Sequence, residues 1–318
     1  MNNLKKIGLT ALAGSLVATS VAYSGELAVS GSAGMNFKNY SDSSTGKAVR
    51  MGNSVFFKGS GETDGGLNVN LSFELDQGTP AGDGPFDSHF VSVGNDTLGT
   101  LTVHGHGGSN SAAALDTTAA GDLWDNTLMA TTGTTGAKFS PLAATSGDNL
   151  IVYSLPTLVD GLAVAGSYQA ANTTGSGSTA LGVTYSGIEG LSLSYGQGSS
   201  DDVKDIAGDQ TIMKASYAYG PITVAASNND FDHTTSTIDQ EVSSVSLSYT
   251  VSDQISVSYG EETIDRSGSA SDIEVNGVSV SYTSGGMTAS FAQVEAENVD
   301  HTAGLDKEVW NIGLSFAF

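Results

Sequence analysis

From Gly25 to the last residue the sequence alternates apolar with polar or small residues at a period of two. Leu191, Leu193 and Tyr195 alternate with Ser192, Ser194 and Gly196, and Val245, Leu247, Tyr249 and Val251 with Ser246, Ser248 and Thr250. The same holds for Val278, Val280 and Tyr282 against Ser279 and Ser281. That period builds strands with one apolar and one polar face. Sixteen candidate strands follow, joined by connections that alternate between short and long. The short ones, such as Asp96–Thr97, Gly220, Ser252–Asp253 and Ser284–Gly285, carry turn residues. The long ones, such as 39–47, 106–147, 199–208 and 298–306, then all emerge at one end. An even strand number with short turns at one end and long loops at the other describes a transmembrane barrel. Without membrane-spanning helices, only a closed barrel satisfies the backbone inside lipid. Tyrosines recur at strand ends, as in Tyr153, Tyr185, Tyr217 and Tyr249 at one level and Tyr168, Tyr195 and Tyr259 at the other. These are the expected aromatic girdles. The closing strand ends "NIGLSFAF", with Ile312, Leu314, Phe316 and Phe318 on the lipid side. The expected fold is all-β, a 16-stranded antiparallel transmembrane barrel occupying residues 25–318.

Residues 1–24 read differently. Lys5 and Lys6 precede an apolar stretch from Ile7 to Val21, and Ala22-Tyr23-Ser24 offers a small-x-small cleavage pattern. This is a secretory signal peptide, too short and too rich in small residues to span a membrane. Without its two lysines, nine bases face 34 acids, so the mature charge is 9 − 34 = −25. So acidic a chain is a poor partner for nucleic-acid phosphates. The absence of cysteine excludes disulfides and thiolate metal sites.

Three stretches carry a family likeness. A terminal strand ending in Phe is similar to that of Gram-negative outer-membrane proteins, whose assembly machinery reads it. "GSGETDGGLNVNLSFELD" (Gly59 to Asp76) resembles the second turn and third strand of general porins of the alphaproteobacterial type. "LGTLTVHG" (Leu98 to Gly105) resembles their fifth strand. The resemblance implies a homotrimeric, water-filled diffusion channel in the outer membrane of a Gram-negative bacterium, among lipid and lipopolysaccharide. It also implies an inward-folded third loop that narrows the pore, and Phe318 as the assembly signal. Porins of this type usually carry Arg or Lys where this chain has His104 and His106.

The third loop, 106–147, is far longer than a hairpin needs, and such loops are usually functional. Asp116, Asp122 and Asp125 are its candidate rim acids, and Ala112 to Leu115 suggests a short helical turn. Strand parity puts Lys38, Arg50, Lys58 and Lys214 on the lumen face, with His104 and His106 opposite Leu101 and Val103. An acidic loop facing a basic wall would set a transverse field across the waist. Lipid cost alone also drives charges inward. The acidic excess points to a cation-preferring channel for small hydrophilic solutes and ions. Its preference should weaken from about pH 8 to about pH 5 as histidines gain charge. The acids of the outer loops read first as a solvated acidic surface; Asp201, Asp202 and Asp205 form the best cluster among them for a weakly held Ca2+, without a fixed ligand spacing. No other cofactor is called for. No zinc motif, phosphate loop or nucleophile elbow is present, so no catalysis is expected. The rival reading is a secreted or surface β-rich adhesin, which leaves the terminal Phe unexplained.

Overall fold

A computed structural model describes residues 25–41, 47–76, 86–124, 147–170, 177–201, 207–233 and 239–318. The expected signal peptide lies outside these residues. Period-two sequence becomes strand after strand: β1 (Glu26–Tyr40), β2 (Lys47–Glu62), β3 (Asn68–Asp76), β4 (Ser88–Asn95), β5 (Gly99–His106), β6 (Leu150–Ser154), β7 (Leu162–Gln169) and β8 (Ser178–Ile188). The second half holds β9 (Leu191–Ser200), β10 (Gly208–Tyr219), β11 (Ile222–His233), β12 (Gln240–Thr250), β13 (Ile255–Arg266), β14 (Ile273–Ser284), β15 (Met287–Glu297) and β16 (Lys307–Ala317). Each pairs antiparallel with its sequence neighbours, and β1 pairs with β16 to close the barrel.

The closure explains the C-terminal pattern. Ser32 lies opposite Ala317, and Met35 opposite Leu314. Beyond the ladder, Gly31 N–H donates to the Phe318 carbonyl at 2.7 Å and Phe318 N–H to the Gly31 carbonyl at 2.9 Å. The Phe318 ring lies over Gly31, where a Cβ would come within 2.7 Å of it. The ring is 75% exposed on the outside of the barrel.

Register fixes the two faces. Val245 pairs with Ala226 and Glu261, Leu247 with Val224 and Tyr259, and Tyr249 with Ile222 and Val257. Leu247 is 48% exposed and Tyr259 41%, because this apolar face covers the outside. The opposite face carries hydroxyl pairs, Ser258 with Ser279 and Ser256 with Ser281, each at 2.7 Å.

Two features depart from uniform alternation. Near the extracellular ends of β12 to β16 the apolar residues change sides. Val242, Ile264, Ile273, Val275, Val294 and Val309 turn inward and pack with Tyr40, Val299 and Trp124 into a buried cluster. On the outward side at the same height the positions are carboxylates. Asp230, Glu241 and Asp265 lie directly opposite one another across β11, β12 and β13, and Glu295 faces Glu308. Like charges set directly opposite oppose sheet pairing.

Candidate functional site

The long loop leaves β5, turns into the barrel and runs along its inner wall. Asn110 starts the descent, its Oδ1 accepting from Ala112 N–H at 3.0 Å and Ala113 N–H at 2.8 Å. A 3-10 turn follows at Ala113–Leu115, where the alanine run suggested one. The loop then docks on successive strands. Ser111 N–H donates to Ser167 Oγ on β7 at 2.8 Å. Lys214 Nζ on β10 donates to the Thr117 carbonyl at 2.7 Å, and Asn229 Nδ2 on β11 to that of Asp116. Ala119 N–H donates to Ser227 Oγ at 2.8 Å and Ala120 N–H to Ser244 Oγ on β12 at 2.9 Å.

Glu262 on β13 holds the far end. It is 1% exposed. Its carboxylate accepts from Thr118 Oγ1, from Leu123 N–H at 2.9 Å and from Trp124 N–H at 3.0 Å. A buried carboxylate without such donors would be strongly unfavourable, so loop and residue depend on each other. Beyond it Trp124, 1% exposed, enters the apolar cluster. The wall makes room with glycine. A Cβ on Gly182 would lie 2.3 Å from the Ser111 carbonyl, and one on Gly260 2.6 Å from the Ala120 side chain.

The described part of the loop therefore contacts the wall from β7 to β14. Lys38 and Arg50 lie on β1 and β2. Lys38 is opposite Asn311 of β16 and Arg50 opposite Asn36 of β1, both on the inward face. Lys38 is only 6% exposed. Lys58 also faces inward, 5.3 Å from the centre of the Phe56 ring, but is opposite Ala28. That places it roughly 33 Å down the wall from Lys38, at about 3.3 Å per residue, and outside the waist. Lys214 anchors the loop rather than facing it across the pore.

The acids divide as well. Asp116 lends its backbone carbonyl to Asn229 and is half-buried. Asp122 closes a turn in the left-handed region at φ 56°, its Oδ1 accepting from Thr118 N–H at 2.7 Å. Asp125 lies outside the described residues.

One expectation is corrected. His104 faces inward, opposite Phe90. A bulge between His89 and Phe90 then shifts the register, so that His106 lies opposite His89, itself opposite Phe73. Phe73 shares the outward parity of Leu71 and Leu75, so His106 joins the outer face and pairs with Asp148. Gly105 permits the bulge, since a Cβ there would meet the His89 ring. Parity reasoning missed two further inward bases, Arg266 opposite Gln240 and Lys307 opposite Ala296. It also missed Glu262, whose inward parity with Ser258 was the available signal.

Among the described residues no three His, Asp or Glu groups lie close enough to hold a metal ion. Of the proposed Ca2+ cluster only Asp201 is described.

A family model described as Gram-negative porin matches residues 8–302. Among curated proteins compared by sequence, none matches. Solved structures share the fold. A loop L8 deletion mutant of OmpT from Vibrio cholerae is 16% identical with a TM-score of 0.71, covering 92% of this chain and 99% of that one. An anion-selective porin from Comamonas acidovorans is 16% identical with a TM-score of 0.67, covering 92% and 100%. The trimer form of OmpT from Vibrio cholerae is 14% identical with a TM-score of 0.66, covering 92% and 99%.

Proposed function

Because the chain belongs to the Gram-negative porin family, we propose that it is a passive, non-catalytic diffusion channel through which small hydrophilic solutes and ions cross the outer membrane. The observation that carries the reading is the long loop, whose described part is pinned along the inner wall from β7 to β14. Such a loop narrows a barrel without closing it. The outward apolar face, typified by Val245 at 50% exposed and Leu247 at 48%, gives no support to a secreted adhesin.

The channel is weakly cation-preferring. The acidic excess of the chain, a net −25 without the first 24 residues, favours cations near the channel. The inward bases Lys38 and Arg50 oppose that effect, and many acids, among them Asp230, Glu241 and Glu261, stand on the outer face. A homotrimer is part of the same reading. The outward tyrosines run from Tyr153 on β6 to Tyr282 on β14, while β1 to β5 present Val49, Met51, Val91, Leu101 and Val103 instead. A sector lacking girdle tyrosines suits contact with another copy better than contact with headgroups. The outward carboxylates would meet lipopolysaccharide phosphates only through divalent cations. Phe318 serves as the assembly signal.

Liposome swelling tests the channel: uptake should fall smoothly with solute size, and uptake no faster than in empty liposomes would refute it. Reversal potentials across a salt gradient test the ion preference. A cation preference at low salt should fade near 1 M, where the Debye length is about 3 Å. Anion preference at low salt would refute that part.

A further inference from the structure

The apolar band on the outer face is not equally high all round the barrel. On β1 the outward side chains from Leu27 to Phe37 include nothing polar. At about 3.3 Å per residue and a tilt of about 40°, that run is about 25 Å high. On β11 to β15 the outward apolar run within each strand is only three side chains long, over 222–226, 245–249, 255–259, 278–282 and 287–291. The same geometry makes it about 10 Å high. The next outward residues are Asn228, Ser243, Glu261, Asn276 and Gln293. Three of them take part in hydrogen bonds along the outer surface: Asn228 Nδ2 donates to Glu241 Oε1 at 2.6 Å, Tyr259 Oη to Glu261 Oε1 at 2.6 Å and Gln293 Nε2 to Glu308 Oε1 at 2.8 Å. The inner face inverts along the same line. Above the outward Val245, Val242 points in, and likewise Ile264 above Tyr259, Val275 above Val278 and Val294 above Phe291. These four pack into the buried cluster, which β1 joins only at Tyr40, beyond Phe37. A sheet with its apolar face packed inside and carboxylates outside is built to meet water, and one with its apolar face outside is built to meet lipid.

We propose that the outer face of β11 to β15 fits a thinned hydrocarbon layer: on this sector the polar boundary of the outer leaflet comes down to the line through Ser243, Glu261, Asn276 and Gln293, leaving about 10 Å of apolar wall against about 25 Å on β1. Tyrosines at both edges of the run mark the partner as lipid rather than protein. Tyr249 and Tyr282 stand at the lower edge and Tyr259 at the upper. Such rings sit at headgroup level. Ile255 lies opposite Tyr282, so on β13 the two levels are only four residues apart. Hydrocarbon drawn above that line would strip water from carboxylates and carboxamides and offer no replacement donor or acceptor. A bilayer meets a short apolar wall by thinning at a smaller cost. This surface is lipid-facing whether or not the lumen conducts.

The chain has no cysteine, so a single introduced cysteine can carry a fluorophore without other changes. Ser243→Cys and Asn276→Cys place the label on the line, and Leu247→Cys places it within the apolar run. Each full-length variant is folded into dioleoyl-phosphatidylcholine vesicles and quenched either by iodide in the water or by bromine atoms on the lipid chains. Iodide should quench the labels replacing Ser243 and Asn276 severalfold more than brominated chains do, and the order should reverse for the label replacing Leu247. Labels on the line quenched mainly by the chains would put hydrocarbon over it and overturn the proposal. Labels there reached by neither quencher would put protein over it and overturn the proposal equally. A second measurement needs no label. The unfolding temperature of the wild type should fall between dilauroyl and dioleoyl bilayers, and Ser243→Leu combined with Asn276→Leu, which raises the apolar run, should reduce that fall. An equal fall in both proteins would also overturn the proposal.

Discussion

Glu262 ties the loop to the wall at three points, Thr118, Leu123 and Trp124. Its three donors all come from the loop, so Glu262→Gln puts an N–H₂ group where one oxygen now accepts. The cost should be about 1–3 kcal/mol, seen as faster proteolysis within the loop and as noisier open-channel current, with the barrel intact. Loop cleavage unchanged from wild type would show that the docking hydroxyls of Ser167, Ser227 and Ser244 suffice. Gly182 gives the complementary case. Gly182→Val should displace the loop, since its Cβ would meet the Ser111 carbonyl, whereas Gly52→Val, at a position where a Cβ would meet nothing within 4 Å, should fold normally; equal behaviour in thermal unfolding would contradict the docking path. The two histidines now separate. Only His104→Ala should alter the change in ion preference between about pH 8 and about pH 5, because His106 is on the outer face; an equal effect of His106→Ala in reversal potentials would place it back in the lumen.

Strands were the most legible level of this molecule. A period of two fixes which residues share a face, and for Lys38, Arg50, Lys58, Lys214 and the Val245–Tyr249 run the parity read from sequence is the parity observed. It failed at His106 because one inserted residue, Gly105, reverses every face beyond it, and a bulge leaves no mark on composition. It also missed the inward cluster, although the signal was present: Val242 and Ile264 stand on the opposite parity to Leu247 and Tyr259. The faces are directly testable. Leu247→Arg should destabilise by roughly 2–4 kcal/mol if near the bilayer midplane, and Ser248→Arg should be tolerated; equal tolerance in urea unfolding from lipid would sink the register. For β16, Phe318→Asp sets a charge over Gly31 at the lower interface and should lower the amount of folded barrel in the outer membrane. Normal levels would remove the role given to that ring.

As a whole, the molecule couples a closed sheet, which lipid demands, to a loop that no alternation pattern could position. The loop's length marked it as functional, but its path depends on groups scattered from Ser167 to Glu262, which only the barrel brings into one row. The same scatter hides the contact of Asp122, whose Oδ1 accepts from Thr118 N–H, until the chain is folded. Net charge, likewise, does not say which face a carboxylate takes: Asp230, Glu241 and Asp265 stand on the outer face. On the proposed function the barrel is a permanently open, narrowed passage. Single-channel recording of the purified protein in planar bilayers measures it directly. Stepwise insertion events with a linear current–voltage relation at low voltage are expected, and folded, heat-modifiable protein that inserts without any conductance step would contradict the account.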